Sequence, residues 1–181
     1  MESRNIAGVG LKQLLIQRKS SILQRWIDLI IETYPADTSK LMKQERDPFI
    51  NPVGHTLTSE TGALYEGLLR GDEVDRLSTH LDKIIQVRSV QDFSPSRAVA
   101  VVPLLKEAVR KEIEQSGMAH LQGMVEWLEF DARIDQLSVL AFDLYAKYRE
   151  RIYEIRIAEM RKERDRALKF LERINPHPKK Q

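Results

Sequence analysis

The chain has 181 residues, 42% of them apolar, enough for one compact domain with a sizeable core. Its 29 basic and 27 acidic residues nearly cancel, so no strongly charged face demands nucleic acid, and the absence of cysteine excludes a disulfide framework, thiol catalysis and thiolate-bound metal. The N-terminus MESRNIAGVGLKQLLIQRKS lacks the basic start, apolar stretch and small-residue cleavage site of a signal peptide, and no run approaches the roughly 20 apolar residues of a membrane span; a cytoplasmic protein without membrane insertion is expected.

From Leu11 to Ile31, apolar residues recur at helical intervals, broken only by the polar RKSS, which predicts one or two amphipathic helices. Tyr34-Pro35 stops them, because a residue before proline is pushed out of the α region, and Asp37, Thr38 or Ser39 is placed to cap a short helix. The segment RDPFINPVGHT, residues 46–56, holds two prolines and a glycine and reads as a structured loop. Its Phe49, Ile50 and Val53 are expected to pack back onto the helices.

Leu57 to Leu69 reads as a helix closed by Gly71, with Asp72 placed to cap its successor. That successor carries Val74, Leu77, Leu81, Ile84 and Ile85 as a stripe of 3.6-residue period. In QDFSPSRAVAVVPLL, Ser94 stands where an N-cap belongs and Pro95 where a missing N–H costs nothing. The positions Ala98, Val101, Val102, Leu105, Val109 and Ile113 then continue at helical spacing, predicting one core helix kinked at Pro103. A proline frees a carbonyl one turn earlier, so Val99 and Pro103 mark the place to look for a pocket.

Ser116-Gly117 closes that helix, and Met118 to Phe130 reads as another. From Asp131 to Asn175 there is neither proline nor glycine, and one helix over that length would run about 65 Å at 1.5 Å per residue. It carries two apolar rows: Ile134, Leu137, Ala141, Tyr145, Tyr148, Ile152 and Ile155, then Ile157, Met160, Arg164, Ala167, Leu171 and Ile174 on another face. The change between Ile155 and Ile157 resembles a stutter in a coiled-coil register, with the first row expected to pack on the domain or on a partner and the second to belong to another surface. Acidic and basic residues interleave along the helix, which argues against a phosphate-binding surface and for a solvated or partner-binding one.

No catalytic constellation emerges. His55, His80, His120 and His177 lie far apart, without a second ligand one turn away, so no metal site is signalled. His80, beside Leu77, Leu81 and Ile84, is the candidate for contact with a cofactor such as haem; a satisfied histidine on the helix surface is the simpler account, and no cofactor is expected. Walker and dinucleotide-binding glycine patterns are missing, and no nucleophile elbow surrounds Ser94 or Ser96. The expectation is a protein that is not an enzyme.

Four segments in order, RWIDLIIETYPADT, DPFINPVGHT, LLRGDEV and LDKIIQVRSVQDFSPSRAVAVVPLLKEAV, resemble the N-terminal sensory domain of the RsbRD type, found in RsbT co-antagonists of bacterial stress signalling. The resemblance covers about residues 11–150. It implies an all-helical module, globin-like and without haem, that passes an unidentified signal along a C-terminal helix. In the co-antagonists a STAS domain follows, bearing phosphorylated threonines that contact a kinase. This sequence ends at Gln181 without one, so neither phosphorylation nor kinase capture is carried over.

The expected architecture is therefore all-α: residues 1–150 a helical sensory domain, residues 131–175 a long helix continuing from it, and residues 176–181 a flexible tail. The expected function is regulation through a protein partner, with a homodimer formed through Ala141, Tyr145, Tyr148, Ile152 and Ile155. The alternative is a globin-like sensor that binds haem or another small molecule.

Overall fold

In the computed structural model, the described residues are 10–45, 47–91, 93–116 and 124–174. They form eight α-helices: α1 Leu11–Gln17, α2 Lys19–Glu32, α3 Ala36–Gln44, α4 Pro52–Arg70, α5 Val74–Ser89, α6 Pro95–Val99, α7 Leu104–Ser116 and α8 Met124–Ile174. The fold is all-helical, as the periodicities require, and contains no strand among the described residues.

Helices α4 and α5 form a tight hairpin whose turn is Gly71, at φ 84°, in the left-handed region that glycine enters without penalty. Helix α5 lies between α4 and α8, while α2 packs on α7 and α4, and α6 fits against α5 and α8. One apolar core runs through these contacts, with Ile22, Trp26, Tyr65, Leu81, Ile84, Ile85, Val109, Ile134 and Leu137 all buried. The α5 stripe is in that core as its spacing predicts.

Several boundaries differ from the sequence reading, each for a local reason. The Leu11–Ile31 segment divides at Arg18, where the backbone leaves helical values. Helix α3 starts at Ala36 without a side-chain cap, because Pro35, at φ −55° and ψ 149°, itself makes the extended entry. Asp72 does not cap α5: its carboxylate is held by Arg70, and Glu73 precedes the helix.

The 46–56 segment is half helix. Pro52 takes the first position of α4, and Asn51 caps it by accepting the N–H of Gly54. The preceding turn is closed by Asp47, whose carboxylate accepts the N–H of Phe49 and whose carbonyl accepts those of Ile50 and Asn51. Held by its own backbone, the turn leaves Phe49 at 96% exposure and Ile50 at 59%; only Val53 packs against the core.

The expected kinked helix is two helices joined by a turn. Ser94 does cap α6, accepting the N–H of Arg97 at 3.4 Å, with Pro95 next to it. Pro103 has no N–H for the carbonyl of Val99, which accepts from Val102 instead at 3.3 Å. The carbonyl of Val101 is taken by the indole N–H of the buried Trp26 at 2.7 Å. A break that would orphan two carbonyls, that of Val101 buried, is thus satisfied once locally and once by a side chain 75 residues away.

Helix α8 runs unbroken through Asp131 from Met124, so the expected separate helix ending at Phe130 is its first part. Residues 117–123, where that helix was expected to begin, and the expected tail at 176–181 lie outside the described residues. At 1.5 Å per residue the 51 residues of α8 extend about 75 Å. From Tyr153 to Ile174 every residue is exposed, so the end of the helix projects from the domain.

Candidate functional site

A cleft of about 610 Å³ opens between α2, α3 and α4. Leu23, Ile27, Ile30 and Ile31 fall at steps of four, three and one along α2, which puts them on one side of that helix as an apolar floor. Leu57 and Met42 complete it from α4 and α3. Ser20, Gln24 and Asp28, also four apart, form a polar rim on the same helix, and Glu45, Lys43 and His55 line the opposite side.

Asn51 builds the end wall of this cleft. Its Nδ2 donates to the carbonyls of Met42 (3.3 Å) and Glu45 (3.0 Å), while Oδ1 accepts the N–H of Gly54 (2.8 Å). One buried side chain thus closes the end of α3 and starts α4. A Cβ on Gly54 would stand 2.3 Å from Asn51 Nδ2, so only glycine lets the side chain reach both helix ends.

Next to the cleft lies a buried cation. The last turn of α2 leads to Thr33, whose hydroxyl donates to Ile30 O at 2.6 Å and accepts from Arg88 Nη2 at 3.1 Å. Arg88 is fully buried; its Nε donates to Ala98 O (2.8 Å) and Nη2 also to Arg97 O (2.6 Å). Its charge lies against the rings of Phe93 (4.4 Å) and Tyr34 (5.3 Å), which meet edge to face. Arg97 closes the group by donating to Thr33 O. Burial lowers the Arg88 guanidinium from its ordinary value and raises the Tyr34 hydroxyl, an effect the Arg88 charge partly offsets. The cluster binds the ends of α2 and α5 and the start of α6 into one unit.

Polar contacts fasten helix α8 to the domain, beginning in its first turn, where Glu126 accepts the backbone N–H of Lys12 at 3.2 Å. Lys106 on α7 reaches Asp131 (2.9 Å) and Asp135 (2.8 Å). Arg133 donates to the carbonyls of Leu68, at 3.1 Å, and Asp72 at the α4–α5 turn. Tyr148 donates its hydroxyl to Asp82 of α5 at 2.8 Å. Burial and then Asp82 push that hydroxyl up to about 12.

These contacts place the residues singled out in the sequence. Ala141 and Tyr145 face the domain's own core, with Ile134 and Leu137, and are not available to a second chain. Tyr148 and Ile152 are half-buried, and Ile155 is exposed. Continued past Ile155 in steps of three and four, this inner row meets Glu159, Lys162 and Arg166, all charged and exposed.

The second row does not begin at Ile157. Followed backward from Ile157 it runs through Tyr153, Arg149, Ala146 and Phe142 to Val139, and at about 100° per residue it lies roughly a third of a turn from the inner row along the whole way. The stutter read between Ile155 and Ile157 is therefore two parallel faces of one helix. The outer face is exposed at Val139, Phe142, Tyr153, Ile157, Met160, Leu171 and Ile174.

The other expectations separate. Val99 and Pro103 line neither this cleft nor the smaller one of about 270 Å³ between α1, α4 and α8. His80 lies between α4 and α5 with Nδ1 2.6 Å from Glu60, which also accepts from Lys83 at 2.8 Å. Burial raises the Glu60 carboxyl, but the bonds from Lys83 and His80 outweigh it and hold the group below the usual carboxylate range. No group of three or more histidine, aspartate or glutamate side chains suited to a metal occurs among the described residues, and none of their helices is long and apolar enough to cross a membrane.

No curated protein and no solved structure matches the chain. The family model of the RsbT co-antagonist protein rsbRD N-terminal domain matches residues 20–160, from the first turn of α2 past the point where α8 leaves the domain. Covering more than half of the chain, including the cleft and the outward row as far as Met160, that match shows that the chain belongs to the RsbT co-antagonist protein rsbRD N-terminal domain family, the sensory domains of a signalling system.

Proposed function

We propose that the chain is a non-enzymatic regulatory module of bacterial stress signalling, working in the cytoplasm through protein contacts, with α8 as both its output and its dimer interface. The observation that carries this is the exposed apolar row of α8. From Val139 to Ile174 it extends about 52 Å, while the next-longest described helix, α4, has 19 residues. A helix of equal length is needed to cover the row, and a second copy supplies one.

In a parallel pair each residue of the row meets its own counterpart. The two arginines in the row are engaged within their own helix, Arg149 over the Tyr153 ring and Arg164 on Asp165 at 2.8 Å. The inner row, for which the sequence left both the domain and a partner open, holds α8 to the domain, so a movement of α5 or α7 is passed to the projecting end. The absence of cysteine makes a direct test simple: Met160→Cys is expected to form a disulfide-linked dimer under mild oxidation, and Lys162→Cys, on the charged face, to remain monomeric on a denaturing gel. Equal yields from both positions would remove the row as the interface.

The small-molecule alternative is supported by a separate observation, the α2–α3–α4 cleft, and concerns the signal rather than the output.

A further inference from the structure

The cleft between α2, α3 and α4 has the size of a ligand site, since such sites span about 300–1,000 Å³ and join an apolar lining to a few placed polar groups. Its floor is apolar, with Ile30, Ile31, Leu57 and Met42 buried beneath it and Leu23 and Ile27 half-exposed at its sides. Among the described residues no side chain fills it: Phe49 and Ile50, on the turn that follows α3, are exposed instead.

The polar groups are not neutral in sum. Asp28 and Glu45 line the cleft from α2 and from the end of α3. Asp28 accepts only the amide of Gln24, at 3.2 Å, and Glu45 only the backbone N–H of Asp47, at 2.9 Å. Neither meets a cation among the described residues. Lys43, the one lysine or arginine of the lining, stands 3.7 Å from Glu32 and is offset by it. An anionic ligand would face two carboxylates and one lysine already engaged. A neutral ligand would leave both carboxylates as they are. A cation with an apolar body suits both features, covering the isoleucine floor and offering N–H donors to the rim.

We propose that this cleft binds a small amphiphilic cation, an amine or amidine carried on an apolar body, with Asp28 and Glu45 receiving the charged head and Leu23 and Ile27 the body. The ligand would sit one helical turn from Thr33, so the Arg88 cluster that joins α2 to α5 and α6 lies next to it. The inference rests on the sensory reading only in naming the ligand a signal, because binding is measured without reference to dimerisation.

The test is isothermal titration of the full chain with three probes of one shape: 4-phenylbutylammonium, 4-phenylbutyrate and 4-phenylbutanol. The ammonium compound is expected to bind at least about tenfold more tightly than either other probe, the difference made by charge-assisted hydrogen bonds. Its binding should fall by about the same factor in Asp28→Asn with Glu45→Gln, substitutions that keep the acceptors for Gln24 and Asp47. Two-dimensional NMR should show the methyl groups of Leu23, Ile27 and Met42 shifting with the ammonium probe. Equal or tighter binding of the butyrate, no binding of any probe, or binding undiminished in the double variant would each overturn the proposal. The three-probe comparison on the unmodified chain decides the matter even if the double variant does not fold.

Discussion

Tyr148 and Asp82 join the terminal helix to the domain close to where that helix departs, through a hydrogen bond of 2.8 Å between the tyrosine hydroxyl and the carboxylate of α5. Beyond Ile152 every described residue of α8 is exposed, so this polar contact lies close to the base of the projecting helix. A bond to a charged acceptor at this place sets how firmly the helix base follows α5.

Removing the hydroxyl in Tyr148→Phe is expected to cost about 1 kcal/mol and to lower Tm by about 3 °C for a chain of this size. The pH dependence has a definite sign. In the folded protein the hydroxyl is pushed up to about 12, whereas unfolded tyrosine ionises near its ordinary value of 10.0. The folded state keeps a proton that the unfolded state releases, so the stabilisation is complete below pH 10 and is lost as the pH rises from 10 toward 12. Urea midpoints measured across that range should fall more steeply in the parent chain than in Tyr148→Phe; matching slopes would show that the bond is not formed.

Glu60 works in the opposite direction. Its carboxyl, bonded by His80 and Lys83, is held below the usual range, so its contribution is complete above the unfolded value near 4.5 and disappears as the pH falls through the lower folded value. Glu60→Gln should therefore flatten stability against pH below about 4.5, at which unfolded glutamate begins to take up protons. Chemical denaturation at pH 7 and at pH 3.5 tests this. An unchanged difference between the two pH values in the variant would separate Glu60 from acid unfolding.

Trp26→Phe keeps a ring in the core but leaves the buried carbonyl of Val101 without its donor. The expected loss is about 2 kcal/mol, combining the unsatisfied acceptor with the volume removed. Because the carbonyl belongs to the turn that Pro103 forces between α6 and α7, amide exchange should accelerate first across residues 99–105. Uniform acceleration over the whole chain would mean that the indole serves packing alone.

What the sequence discloses of this fold is what depends on neighbours along the chain. Ser94-Pro95 as a helix entry, Gly71 as a helix exit and the α5 stripe follow from spacing within one or two turns, and the length of α8 beyond Asp131 follows from the lack of proline and glycine, whereas its continuity with the helix expected to end at Phe130 does not. The α8 rows were legible as rows but not as faces, because deciding which one meets the domain requires knowing where α5 lies. Ala141 and Tyr145 fall inside for that reason. The cleft was not legible at all. Its floor on α2 reads like any core face, and the one local signal, Asn51-Pro52-Val53-Gly54, looks like a loop until Asn51 is seen to hold α3 as well as α4. Arg88 likewise reads as a surface cation on the edge of a helix, and only the return of Arg97 and Ala98 from the next segment explains its burial.

The role of α8 as the interface is decided most directly by sedimentation equilibrium of the full chain at micromolar concentration, for the parent and for Met160→Asp with Leu171→Asp. Both substituted residues are exposed and touch no part of the domain core, so the helix content of each chain, read by circular dichroism, should be unchanged, while Tm should fall by whatever dimerisation contributes. A parent of twice the chain mass and a variant of single mass are the expected result. A parent that stays monomeric throughout, or a variant that remains dimeric, would contradict the assignment of the outer row.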